Sequence, residues 1–297
     1  MRRRTPMGRR GHAAACAVAL ALPGLASAVT IDAGDYTYLP AGTSLAVGYY
    51  QHTEGRQLYA GGRKVADQAR VEADVGILRG VHYVDIGGLT MAPQFLLPFG
   101  RVHTGGDLAG VDATNGVGDL ILASTIHLMK DPEGRRAFAV TPWLWLPTGR
   151  YDRNAPLNPF GENRWKFALQ TGWITPLSER FTLDLIADGQ VFGRNGDYGP
   201  AGATLKQRPA WELQSHLRYN LGAATWVGGM LSQAGGGETE IDGIAQGDRQ
   251  RRTKALLSVA HFVAPGWQVL TSLGRDLSVR TGVKEDARLN LRLLKVF

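Results

Sequence analysis

The sequence predicts an all-β protein, a transmembrane antiparallel up-and-down β-barrel of about 12 strands. Three observations predict it. Segments of roughly ten to fourteen residues alternate apolar and polar positions, longer than the ~5–6 residues usual for strands. Their connections alternate in length, short turns at one end and long glycine-rich stretches at the other, which a soluble sandwich has no reason to do. Glycine fills 39 of 297 positions, which disfavours helix interiors. A mean hydropathy of −0.15 is also too polar for a bundle of membrane helices, each needing ~20 apolar residues. In lipid the backbone must then be satisfied by a closed barrel.

The first element is a targeting segment. Arg2, Arg3, Arg4, Arg9 and Arg10 precede an apolar run over 13–22, and Ala26-Ser27-Ala28 follows. That order is a secretory signal peptide over residues 1–28, cut after Ala28 and followed by a barrel domain over 29–297. The run is too short for a membrane anchor. Removing 1–28 lowers the formal charge from +7 to +2, so the basic character belongs to the targeting segment and no nucleic-acid partner is implied. The single cysteine, Cys16, leaves with it, so the exported chain cannot rely on disulfides.

Strands are expected near 43–53, 64–77, 89–99, 117–129, 136–147, 164–175, 180–193, 207–220, 223–234, 251–263, 266–280 and 287–297. Stretch 78–88 is ambiguous, and a count of fourteen stays open. In the second strand Val65, Ala69, Val71, Ala73 and Val75 oppose Lys64, Gln68, Arg70, Glu72 and Asp74. In 164–173 Trp165, Phe167, Leu169 and Trp173 oppose Arg164, Lys166 and Gln170. In 181–192 Phe181, Leu183, Leu185 and Val191 oppose Asp184, Asp188 and Gln190. In 209–221 Trp211, Leu213, Leu217, Tyr219 and Leu221 oppose Glu212, Gln214, His216 and Arg218. The last strand sets Leu289, Leu291, Leu293 and Phe297 against Arg288, Asn290 and Arg292, with Lys295 interrupting the apolar face. The apolar sets are assigned to lipid. Trp165, Trp173, Trp211 and Trp267 share their parity and fit an interfacial girdle, whereas Trp143 and Trp145 share parity with Thr141 and fit the interior.

The opposite face supplies the candidate lumen residues: Arg70, Glu72, Asp74, Arg164, Lys166, Asp184, Asp188, Glu212, Arg218, Asp276 and Arg292. Two readings remain open. The charges form a paired network that fills a narrow barrel, or they line a solute path across which they set a field. No phosphate-binding loop, Gly-x-Ser-x-Gly elbow or His-Glu-x-x-His motif occurs, so no cofactor or metal is expected. Ser215-His216 and Ser258 with His261 are the nearest nucleophile–base candidates, yet adjacent strand residues point to opposite faces. A lipid hydrolase and a plugged adhesive barrel are the alternatives to a channel.

Several strings resemble one known family. They are Asp35-Tyr36, Leu39-Pro40-Ala41-Gly42-Thr43, LAVGYYQH at 45–52, Leu97-Pro98-Phe99-Gly100, GVGD at 116–119 and Leu146-Pro147-Thr148-Gly149. Phe160 with GENRW at 161–165, GGGET at 235–239, DLSVR at 276–280 and the terminal Phe297 complete the set. In order and spacing they resemble outer-membrane channel proteins labelled for the meta-pathway of phenol degradation, over residues 35–297. The resemblance implies an outer-membrane transporter for aromatic or other hydrophobic small molecules. Outer-membrane lipid, a small solute and the outer-membrane assembly machinery would be its partners. Lys295 departs from the pattern, where an apolar or aromatic residue is usual.

Overall fold

A computed structural model describes residues 30–131 and 135–297; the expected targeting segment lies outside the described residues. Twelve strands form the wall: β1 (Ser44–Ala60), β2 (Ala69–His82), β3 (Leu89–Gly106), β4 (Ile121–Lys130), β5 (Ala137–Trp145) and β6 (Lys166–Pro176), then β7 (Phe181–Phe192), β8 (Ala210–Asn220), β9 (Thr225–Gly236), β10 (Gln250–Ala264), β11 (Trp267–Val279) and β12 (Gly282–Val296). Each pairs antiparallel with the next, and β12 returns to β1 from Leu45↔Val296 to Tyr59↔Gly282. Closure leaves no unpaired sheet edge to face lipid.

The count is twelve because the ambiguous stretch 78–88 adds no wall strand. Residues 78–82 continue β2, and Val84–Ile86 pair with Leu89, Thr90 and Met91 at the tip of the following hairpin. Arg63–Ala66 likewise fold back on the end of β1. At the end of the barrel holding Ser44 and Val296, the connections 83–88, 131–136, 177–180, 221–224 and 265–266 are short. The other end carries 61–68, 107–120, 146–165, 193–209 and 237–249, with 280–281 as a tight exception. Loops 193–209 and 237–249 pair with each other through Ala203–Gln207 and Thr239–Ile241, which builds a small second sheet at that end.

Around most of the wall, lipid-parity side chains are exposed and apolar: Phe167, Leu169, Leu185, Leu213, Leu257, Leu273, Leu291 and Leu293. Trp165, Trp173, Trp211 and Trp267 are exposed among them, while Trp143 and Trp145 are buried inside. Strand β2 reverses the expectation. Val71, Ala73, Val75 and Ile77 line the interior with Arg79, while Arg70, Glu72 and Asp74 take the outer face. Two physical causes combine. Inside, Ala73 packs with Val102 and Phe160, a hydrophobic cluster brought by a loop. Outside, the lipid face of β2 is made by glycines under aromatic rings from β3. A Cβ on Gly76 or Gly80 would come within 2.4 Å of Phe99 and 2.5 Å of Phe95. Strands β1 to β3 have 17, 14 and 18 residues against 9 for β5, so the wall is taller on this side. Its polar outer residues lie toward the tall end.

Candidate functional site

The interior is organised by the segment before β1. Residues 30–36 enter the barrel, and their backbone and side chains meet side chains from six strands. Asp35 accepts from Arg79 Nη1 at 2.8 Å and from Arg292 Nη1 at 3.0 Å; Asp32 accepts from Arg292 Nη1 at 3.0 Å. Gly34 N–H donates to Asp184 Oδ2 at 2.7 Å, and Ile31 N–H donates to Gln214 at 3.3 Å. The Tyr36 hydroxyl lies 3.1 Å from both Thr141 and Gln170. Its ring occupies the space above Gly172, where a Cβ would sit 2.1 Å from it, so glycine is required for this docking. Burial pushes the Tyr36 phenol well above its ordinary range, and the bond with Thr141 only partly opposes this.

Between this segment and the long loops lies a cavity of about 450 Å³. Trp143, Trp145, Tyr49, Phe160, Phe192 and Tyr198 give it aromatic walls; Gln51, Gln190 and Asn290 contribute amides. Such a mixture, mostly apolar with a few placed polar groups, suits a small organic solute.

The inward-facing candidates fall into five groups. Arg164 and Lys166 share Glu162: Lys166 Nζ donates to Oε1 and Arg164 Nη2 to Oε2, both at 2.5 Å. Arg164 also donates to Gln207 of the outer sheet and lies 4.9 Å from the Phe192 ring centroid; Lys166 Nζ lies 5.3 Å from that of Trp145. Burial pushes the Glu162 carboxyl up, but the two cations together outweigh it and hold it at about 2. Asp184 joins Arg218, at 2.8 Å, to the N-terminal segment. Asp188 and Glu212 are register partners on β7 and β8; Gln170 donates to Asp188 at 3.3 Å and Thr30 to Glu212 at 3.4 Å. Asp276 accepts from Arg252 at 2.7 Å, and Arg292 holds Asp32, Asp35 and Gln268.

Arg70, Glu72 and Asp74 are brought to the opposite face. There Asp74 accepts from Tyr50 at 2.7 Å, His52 at 2.8 Å and Arg101 at 3.0 Å, while Arg70 Nε donates to Glu72 at 2.8 Å. Assigning them to the lumen is therefore corrected: alternation defines two faces, and on β2 the apolar one is inside. The serine–histidine candidates are also separated. His216 is buried inside with Ser215 on the other parity, and Ser258 bonds Ser272 while His261 bonds Thr225.

Sequence reading missed Asp32, Asp35, Arg79, Glu162, Arg252 and Glu285. The clue lay in Ile31-Asp32-Ala33-Gly34-Asp35-Tyr36, where two acids flank Ala33-Gly34 in an otherwise apolar stretch just after the expected targeting segment.

Comparison with known proteins follows the same fold. The profile of a family described as "Putative MetA-pathway of phenol degradation" matches residues 54–293. The chain is 39% identical to a crystallised outer membrane channel from Pseudomonas putida F1, covering 90% of this chain and 100% of that one, with a TM-score of 0.87. A monoaromatic hydrocarbon channel, CymD, matches at 10% identity and TM-score 0.48, over 88% of this chain and 90% of its own. The KdgM porin bound to oligogalacturonate matches at 7% and 0.47, over 85% and 99%. The last two are too distant to bear on function. No curated protein matches the chain.

Proposed function

The chain belongs to the family described as "Putative MetA-pathway of phenol degradation", and from that premise we propose that it is a passive outer-membrane channel for small aromatic solutes. The cavity between the N-terminal segment and the outer loops carries this reading. Its aromatic walls and scattered amides can hold a substituted benzene ring, and its cations are each paired with a carboxylate. The Pseudomonas putida relative, an outer membrane channel, supports both the location and the class. The N-terminal segment is the lower gate. It is held by hydrogen bonds and ion pairs rather than by strand pairing, so it can leave while the wall stays closed. A signal cut after Ala28 delivers the chain, and the assembly machinery inserts it through the final strand.

Single-channel recording tests the proposal. The mature chain should conduct, and a variant lacking residues 29–36 should show a larger and steadier conductance. Silence of both in planar bilayers, with solute added, would refute a channel.

A further inference from the structure

At the long-loop end, one sector of the outer surface gathers arginines without acidic partners. Arg249 and Arg251 alternate with Asp248, Gln250 and Arg252, which line the cavity, so both point outward, and both are exposed. Arg280 follows β11, and its N–H donates to Arg251 O at 2.8 Å. Thr281 Oγ1 donates to Arg249 O at 3.0 Å. Gly62 N–H donates to Arg280 O at 2.7 Å, which brings the exposed Arg63 to the same place. Arg275 lies lower on β11, on the face opposite buried Asp276, and is the register partner of Ala255, four residues below Arg251. None of these five side chains has an ion pair or hydrogen bond among the described residues.

The acids of this sector are committed to the inner side. Asp248 accepts from Thr239 and Asp276 from Arg252, each at 2.7 Å. Glu285 takes Lys254 at 3.1 Å and Arg288 at 2.9 Å. Elsewhere at this end Arg70, Arg101 and Arg153 each face a carboxylate. Below the unpaired arginines the wall is apolar, with Leu231, Leu257 and Leu273 exposed. Trp211 shares the rung of Gly235 and Arg251, two strand spacings or ~10 Å from the arginine. An exposed tryptophan at that level marks the outer interface, so the guanidinium groups stand at headgroup height.

We propose that this crest of arginines docks a doubly phosphorylated, multiply acylated lipid of the outer leaflet. Its phosphates meet Arg249, Arg251 and Arg280, with Arg63 beside them, and its acyl chains lie on Leu231, Leu257 and Leu273. Arg275 reaches the headgroup from below, its stem lying along the apolar wall. Arginine suits this partner because its planar fork binds two phosphate oxygens at once. Close like charges repel one another, and an anion seated among them removes that cost. The apolar field directly beneath favours a lipid over a free anion, which would gain nothing from it. The proposal rests on the outer-membrane location and not on the passage of a solute.

Native mass spectrometry of the mature chain in detergent tests it, with diphosphoryl lipid A as the probe. Monophosphoryl lipid A, phosphatidylglycerol and inorganic phosphate are the comparisons. The parent should hold diphosphoryl lipid A about tenfold more tightly than either other lipid, and inorganic phosphate should not compete. Raising the salt should weaken this binding. The triple change Arg249→Gln, Arg251→Gln and Arg280→Gln should weaken it about tenfold. Arg153→Gln with Arg194→Gln, two exposed arginines elsewhere on the rim, should leave it unchanged. Equal binding by the parent and the triple variant, or equal loss in the Arg153 and Arg194 pair, would overturn the site. Phosphatidylglycerol bound as tightly as diphosphoryl lipid A would show only a general attraction of anionic lipid. Competition by inorganic phosphate would show an anion site with no lipid, and either result overturns the proposal. The lipid, phosphate and salt comparisons use the parent alone, so they decide even if the triple variant fails to fold.

Discussion

Glu162 shows how much one carboxylate can organise. It lies in the loop between β5 and β6, yet it anchors Arg164 and Lys166, whose side chains reach aromatic rings on β7 and β5. Its folded pKa of about 2 lies below the ordinary 4.5. The ionised clamp therefore contributes its full stability above the unfolded value, and that contribution is lost as pH falls through the folded one. Proteolysis of loop 146–165 should stay slow at pH 5 and quicken as pH falls from about 4 toward 2. Glu162→Gln leaves two buried cations without their carboxylate and should cost ~3–5 kcal/mol in unfolding from lipid. A loss under ~1 kcal/mol would mean that water already screens the pair.

At the level of elements, the N-terminal segment and the closing strand do different work. The segment is tied down mainly by Asp32 and Asp35 on Arg79 and Arg292. The pair of changes Asp32→Asn and Asp35→Asn should raise open-channel current toward that of the chain lacking 29–36. Melting should fall as well, although the wall ladder is untouched, because Arg79 and Arg292 are left buried without their carboxylates. Current unchanged from the parent would show that Tyr36 and the backbone bonds suffice as the latch. Strand β12 closes the wall on β1, and Phe297 exchanges backbone bonds with Ser44, donating at 2.9 Å. Deleting Phe297 should lower the amount inserted in the outer membrane without affecting export; normal surface levels would count against a signal in this residue. Lys295, the departure in this strand, places its Nζ 5.0 Å from the Trp267 ring centroid, so its charge rests on an aromatic face.

Across the whole molecule, the wall is uneven, and this decides which charges matter to a solute. On the tall β1–β3 side Arg70, Glu72, Asp74 and Arg101 point outward, whereas across the barrel Lys166, Asp184, Asp188 and Glu212 point in. Neutralising Glu72 and Asp74 together should therefore leave ion selectivity unchanged at any salt concentration. A shift in reversal potential with that double change would place them on the conduction path after all. The sequence by itself determined the class of fold, the sorting of loops by end and the strand positions to within a few residues from β4 to β11, whereas β1 to β3 and the start of β12 extend or shift by five to seven residues. Those follow from a period of two and from where glycine and polar residues collect, which are local properties of the chain. It also determined the facing of β6, β7, β8 and the lower part of β12, where the apolar set is long and aromatic-rich. Only the tertiary structure decided the facing of β2. There the interior is apolar because Val102 and Phe160 arrive from β3 and a distant loop, and the lipid face is glycine covered by a neighbour's rings. It alone decided that Asp32 and Asp35 meet Arg79 and Arg292, pairs separated by as many as 260 positions. Alternation fixes that a strand has two faces; which face turns inward depends on what the rest of the chain puts inside.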